Sequence, residues 1–128
     1  MRLLLDTHTL LWWWGDDPQL SATARSAIAD EANEVHVSAA SAWEIATKQR
    51  LGKLPPLPAT GLDYQALLAA DGFEPLPVSA VHAWRAGSLA TAHRDPFDRM
   101  LAAQSEIEQL VLVTRDPAFV ALKTQTLW

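Results

Sequence analysis

No cysteine occurs among the 128 residues, which excludes a disulfide scaffold, a thiolate metal site and a cysteine nucleophile, and fits a reducing compartment. Glycine is scarce at 5 residues, and apolar residues make up 49% against 20% charged, so collagen, low complexity and disorder are set aside. Positive charge is also in deficit. Ten Lys and Arg stand against 15 Asp and Glu, net −5, which is not the footprint of a protein held on nucleic acid by phosphate contacts alone. Any such contact must be local. No apolar run approaches the roughly 18 residues of a membrane span. The start, Met1 to Gly15, superficially suggests a signal peptide, but Asp6 and His8 interrupt it and no small-residue cleavage site follows. No internal repeat is detectable. The chain reads as one cytoplasmic domain over residues 1–128, with one core and one site.

What is present alternates. Leu3 to Leu5 reads as a short buried strand ending in Asp6-Thr7, and Thr9 to Trp14 reads as a helix. Ser21 N-caps a second helix, Glu34 to Val37 is a strand, and Ser38 opens an alanine-rich helix that Gly52 ends near Leu51. Lys53 to Gly61, with three prolines, is a stiff loop. Leu62 to Ala70 is helical, Phe73 to Val78 is a strand weakened by Pro75 and Pro77, and Ser79 to Leu89 is helical again. Asp95-Pro96 starts a helix through Glu108, with Phe97, Met100, Leu101, Ala103 and Ile107 on its apolar face. Leu110 to Val113 is a strand, and Thr124 to Trp128 closes the sheet. The class is α/β, with a mostly parallel sheet covered on both faces by right-handed crossovers.

In such sheets chemistry sits outside the carboxyl ends of the strands, and four acids fall there: Asp6, Glu44, Asp98 and Asp116. Like charges brought to one edge are costly unless cations neutralise them, and hard oxygen ligands suit Mg²⁺ or Mn²⁺. Each acid has a plainer role open to it. Asp6 could cap the next helix. Glu44 could be a solvated residue paired to Lys48 at i, i+4, opposite an Ala39, Ala42, Trp43 and Ala46 face. Asp98 could serve the helix dipole, and Asp116, before Pro117, could start a turn. Asp95 is better explained by capping and ranks as an accessory residue.

Taken together and in order, these segments resemble the PIN domain, specifically the VapC-like ribonuclease toxins of prokaryotic toxin–antitoxin pairs. The resemblance is carried by Leu3-Leu4-Leu5-Asp6-Thr7-His8, by Val37 through Ala46, by Leu51-Gly52-Lys53-Leu54, by His93 through Gln104 and by Leu112 through Phe119. It implies a three-layer α/β/α fold with a central, mostly parallel sheet of four to five strands. It also implies that Asp6, Glu44, Asp98 and Asp116 hold one or two Mg²⁺ or Mn²⁺ ions for hydrolysis of single-stranded or loop RNA. Thr114 would position a ligand or water, while Thr7 and Ser38 would support the site by hydrogen bonds. A small antitoxin partner and a homodimer are further implications.

Arg94, Arg99 and Arg115 adjoin the acids and could bind flanking phosphates, with Lys48 and Arg50 farther along. His8 and His93 could act as acid or hydrogen-bond donor, but they show no zinc-site spacing and are left out of catalysis. Trp12, Trp13 and Trp14 point roughly 100° apart on one helix, which implies an interface for at least one of them or a helix buried on several sides. A base-stacking platform for RNA is a third option. Two competing functions remain open. An aspartate phosphatase is disfavoured because His8 stands where its second Asp would be, and a non-catalytic PIN-like RNA-binding or regulatory module would bind RNA without turnover.

Overall fold

Leu3, Leu4 and Leu5 have no exposed surface in the computed structural model, which describes residues Met1–Trp128. They form the centre of strand β1 (Arg2–Leu5), and the other strands line up beside it: β2 (Glu34–Ser38), β3 (Glu74–Leu76), β4 (Val111–Val113) and β5 (Thr126–Leu127). The order is β3-β2-β1-β4-β5 and every pairing is parallel. Seven helices supply the crossovers: α1 (Thr7–Trp14), α2 (Ala22–Ala29), α3 (Ala39–Arg50), α4 (Tyr64–Ala70), α5 (Ala80–Ser88), α6 (Pro96–Glu108) and α7 (Ala118–Ala121).

Because side chains alternate along a strand, β1 feeds two cores. Leu3 and Leu5 pack with Val35, Val37 and Val113 under α1, α2, α3 and α4; Leu4 packs with Leu112, Leu101, Ala102, Phe119 and Leu122 under α6 and α7. The chain runs outward from β1 through β2 to β3, then returns to lay β4 on the other side of β1. That reversal makes the carboxyl ends of β1 and β4 the switch point of the sheet, where sites of such folds lie. No helix is long and apolar enough to cross a membrane.

The expected caps are in place. Ser21 Oγ accepts from the Ala24 amide, Ser38 Oγ from Ala40, and Asp95 Oδ1 from Phe97 and Asp98, with Pro96 at the first helical position. Gly52, at φ 71°, follows the end of α3 in the left-handed region. The prolines leave β3 a three-residue edge strand.

Several expectations are corrected. Helix α1 begins at Thr7, directly against Asp6, not at Thr9, and α4 starts at Tyr64 behind an Asp63 cap rather than at Leu62. The short helix α7 was not anticipated. On α6, Leu101 and Ala103 are buried as expected, but Ala102, Gln104 and Ser105 join them while Phe97, Met100 and Ile107 stay half-exposed. The cause is two-sided packing, since α6 lies between the sheet and α5. On α3 the alanine and tryptophan face points outward. Ala40, Ser41, Glu44 and Ile45 are the buried set, and Trp43 is 63% exposed.

The three consecutive tryptophans are accounted for within the chain. Trp13 and Trp14 donate their indole N–H groups to Asp71 Oδ2 at 3.2 and 3.0 Å, and Trp12 meets Trp128 edge-on. The helix is therefore packed on several sides, and the most exposed tryptophan is Trp84 on α5, at 82%.

Candidate metal centre

Asp6 is the N-cap residue of α1, yet its side chain makes no capping bond. The carboxylate instead accepts from Thr114 Oγ1 at 2.7 Å. The Asp6 amide donates to Val113 O, and Thr9 Oγ1 donates to the same carbonyl, so the ends of β1 and β4 are tied where the acid emerges. Asp6 is 7% exposed. Burial raises its carboxyl above the usual aspartate range, the Thr114 bond and His8 oppose this, the Glu44 charge adds to it, and the Thr7 amide opposes it.

Glu44 reaches the same place from α3. It is buried, and its Oε2 lies 2.5 Å from Lys48 Nζ one turn along the helix. The pairing read from the sequence is real, but the solvated setting is not. Asp98, in the first turn of α6, accepts on Oδ2 from His93 Nε2 at 2.9 Å. Its carboxyl is pushed up to about 6, first by burial and then by the charges of Asp95, Asp6 and Asp116, against the His93 bond. Asp116 is exposed, and its Oδ1 accepts from the Ala118 amide, so it does start the turn into α7.

The four acids are near enough to act on one another at the carboxyl edge of the sheet: Asp6 feels Glu44, and Asp98 feels Asp6 and Asp116. They do not close into a ready ligand shell, because no three carboxylate or imidazole groups converge on one point. Glu44 and Asp98 face Lys48 and His93 instead. The donor chemistry nevertheless fits a hard divalent cation, since all four acids offer oxygen and burial with mutual repulsion leaves Asp6 and Asp98 short of positive charge.

The supporting residues divide. The Thr114 hydroxyl donates to Asp6 and accepts from the Asp116 amide, so it joins two of the acids. Thr7 Oγ1 donates to Ser41 Oγ and ties α1 to α3, Ser38 caps α3, and Asp95 caps α6. Arg99 is corrected outright as a phosphate contact. Its guanidinium donates to the carbonyls of Ala86, Gly87, Leu89, Thr91 and His93, which uses all five of its N–H groups. It clamps the segment that carries His93. Arg115 stacks over Trp12 at 4.5 Å and donates to Gln19, while Arg94 is exposed directly before the Asp95 cap.

His93, set aside from catalysis on the sequence, takes the hydrogen-bonding role that was open to it. A histidine five residues before an acid carries little signal, because the contact depends on a loop fold held by Arg99. Beside the site, α3, α5 and α6 enclose a largely apolar groove of about 380 Å³, lined by Ala40, Trp43, Ala83, Ala86, Phe97 and Met100 among others.

A profile of the PIN domain matches residues 3–124. The chain is 40% identical over 81 residues to Ribonuclease VapC16 of Mycobacterium tuberculosis, a match that takes in 60% of this chain and 52% of that protein. The chain thus spans about half the length of that relative. Among solved structures it is similar to VapBC2 from Rickettsia felis, bound there to a DNA fragment from the promoter, with a TM-score of 0.65 and 17% identity over 99% of this chain and 98% of that one. FitAcB from Neisseria gonorrhoeae gives a TM-score of 0.57 and 24% identity over 100% and 97%. At these identities the structural likeness establishes the fold.

Proposed function

The chain belongs to the PIN domain family, and on that premise we propose that it is a single-domain, divalent-metal-dependent endoribonuclease, the toxin of a toxin–antitoxin pair, cleaving single-stranded or loop RNA in the cytoplasm. One observation carries the reading: Asp6 and Asp98, on different elements, are desolvated at the carboxyl edge of the sheet and each is raised in pKa by the other acids as well as by burial. A fold bears such repulsion where a cation will offset it.

Asp6, Glu44, Asp98 and Asp116 would hold the ion. When bound, Mg²⁺ or Mn²⁺ supplies Lewis-acid stabilisation of the phosphoryl oxygens and lowers the pKa of the attacking water. The chain's own groups fix the frame. Thr114 holds one Asp6 oxygen and the Asp116 amide, His93 holds Asp98 Oδ2, and Arg99 holds the His93 carbonyl. Arg94 and the unengaged edge of Arg115 contact flanking phosphates of the RNA. The apolar groove between α3, α5 and α6 receives a segment of a small antitoxin, and the exposed Trp84 face belongs to a homodimer.

The test is incubation of purified, antitoxin-free protein with a mixed RNA pool in Mg²⁺, in Mn²⁺ and in chelator, beside Asp98→Asn. Products that need metal and vanish in the variant support the reading. Identical products from both proteins sink it, and RNA binding without products in any metal makes the chain a binding module.

A further inference from the structure

The Lys48 ammonium lies inside the acidic site. Its Nζ contacts Glu44 Oε2, and Asp95, the N-cap of α6, and Asp98 in its first turn act on it electrostatically as well. The lysine side chain is 29% exposed and that of Glu44 only 5%, so solvent screens the pair far less than a surface pair. A pattern of occupancy runs around the site. Thr114 holds Asp6 Oδ2, Lys48 holds Glu44 Oε2 and His93 holds Asp98 Oδ2. Each of the three carboxylates gives one oxygen to a side-chain donor, and its second oxygen has no side-chain donor. Single-oxygen ligands of this kind suit an octahedral ion that retains several waters, with the donors as orienting partners. Lysine is the one aliphatic ammonium among these donors, and a second divalent ion at Glu44 would have to sit against it or displace it.

We infer that Lys48 is the resident second cation of this site: it takes the charge-balancing place of a second divalent ion, holds Glu44 as a single-oxygen ligand, and limits the chain to one divalent ion. The inference rests on the metal-dependent reading above. It gives Lys48 two opposed effects, repelling the bound ion while positioning one of its ligands. A salt bridge that served only the fold would lack the first effect, and its loss would weaken metal binding and cleavage together.

Titration with Mn²⁺, followed by the paramagnetic resonance signal of the free ion, reads stoichiometry and affinity without turnover. Wild type is expected to bind one Mn²⁺ per chain. Lys48→Met is expected to bind the ion about tenfold more tightly, or to take a second, because a nearby positive charge is gone. Its RNA cleavage falls at the same time, and Lys48→Arg stays at one ion. Lys48→Gln repeats the measurement if the methionine variant does not fold. Two ions on wild type, or unchanged or weakened binding in both neutral variants, overturns the inference while leaving the metal-dependent reading in place. No saturable binding by wild type, matching Asp98→Asn, overturns that reading and the inference with it.

Discussion

Helix α6 carries a polar cluster at each end, and the two are built on opposite rules. Toward its carboxyl end, His82 is 3% exposed and satisfied on both ring nitrogens: Nδ1 accepts from the Ser79 amide and Nε2 faces Glu108 Oε1 at 2.8 Å. The Ser79 hydroxyl accepts from the His82 amide in return, completing a capping box that starts α5. Donors meet acceptors there, and Gln104 Oε1 is the one atom left over. At the amino end, Asp98 is surrounded by Asp95, Asp6 and Asp116, and only His93 offers it a donor side chain. One end is arranged for stability. The other gathers like charges around Asp98, so on the proposed function stability and activity should respond in opposite directions when the two ends are altered.

The largest expected effect comes from Asp98→Asn. If Asp98 is the metal ligand proposed above, its loss removes several kcal/mol of transition-state stabilisation and should lower RNA cleavage about 10²- to 10³-fold. In the absence of divalent metal at pH 7.5, the same change should raise the urea midpoint; a lower midpoint would mean that Asp98 stabilises the fold. At the other end, His82→Ala should cost about 2 kcal/mol in urea unfolding, from the lost cap and the buried groups left unpaired. Its cleavage rate should stay within about twofold, since the residue touches none of the site's acids, and a collapse in rate with the fold intact would break the contrast.

Acid should erase the difference between wild type and Asp98→Asn. A carboxyl whose folded pKa is raised to about 6 binds its proton more tightly in the folded state, so its repulsion is absent at low pH and the wild type loses stability as pH rises toward 6. Asp6 is shifted in the same direction. Melting temperatures of the two proteins should therefore converge below about pH 4, near the ordinary aspartate value, separate up to about pH 6 and run parallel above it. A constant gap from pH 4 to 8 would remove the repulsion argument. Adding Mn²⁺ at pH 7.5 should raise the melting temperature of wild type and leave that of Asp98→Asn nearly unmoved.

The smallest effect separates two neighbouring arginines. Arg94→Ala should weaken RNA affinity a few-fold and reduce the salt dependence of binding by about 0.7, one single-strand phosphate contact. Arg99→Ala should act through folding, by freeing the loop that carries His93. Equal salt slopes for wild type and Arg94→Ala would place the RNA path elsewhere.

Much of this is legible in the sequence alone. Leu3 to Leu5 could only be a buried strand, Ser38 and Asp95-Pro96 mark helix starts by their chemistry, and the acids fall where parallel strands end. Glu44 was harder, because α3 has two short faces of similar polarity. Its alanines and Trp43 look like the packed side, but small residues bury little area, and Ser41, Glu44 and Ile45 are drawn inward by Thr7, Lys48 and the core. For Trp12 to Trp14 the sequence left an interface and a helix packed on several sides both open, since nothing nearby in the chain announces that Asp71, more than fifty residues later, will receive two of their indole groups.

The sequence by itself determined the alternation of strands and helices, the parallel sheet and the four acids at its edge, because periodicity, capping and strand ends are local properties. Only the tertiary structure decided what each charge faces. Arg99 became a five-carbonyl clamp instead of a phosphate contact, Asp98 acquired His93, and Lys48 was set among the acids of α3 and α6. Such partners come from elements and loops whose approach depends on the whole core, and the electrostatics of a buried group depend on distances that no spacing along the chain encodes.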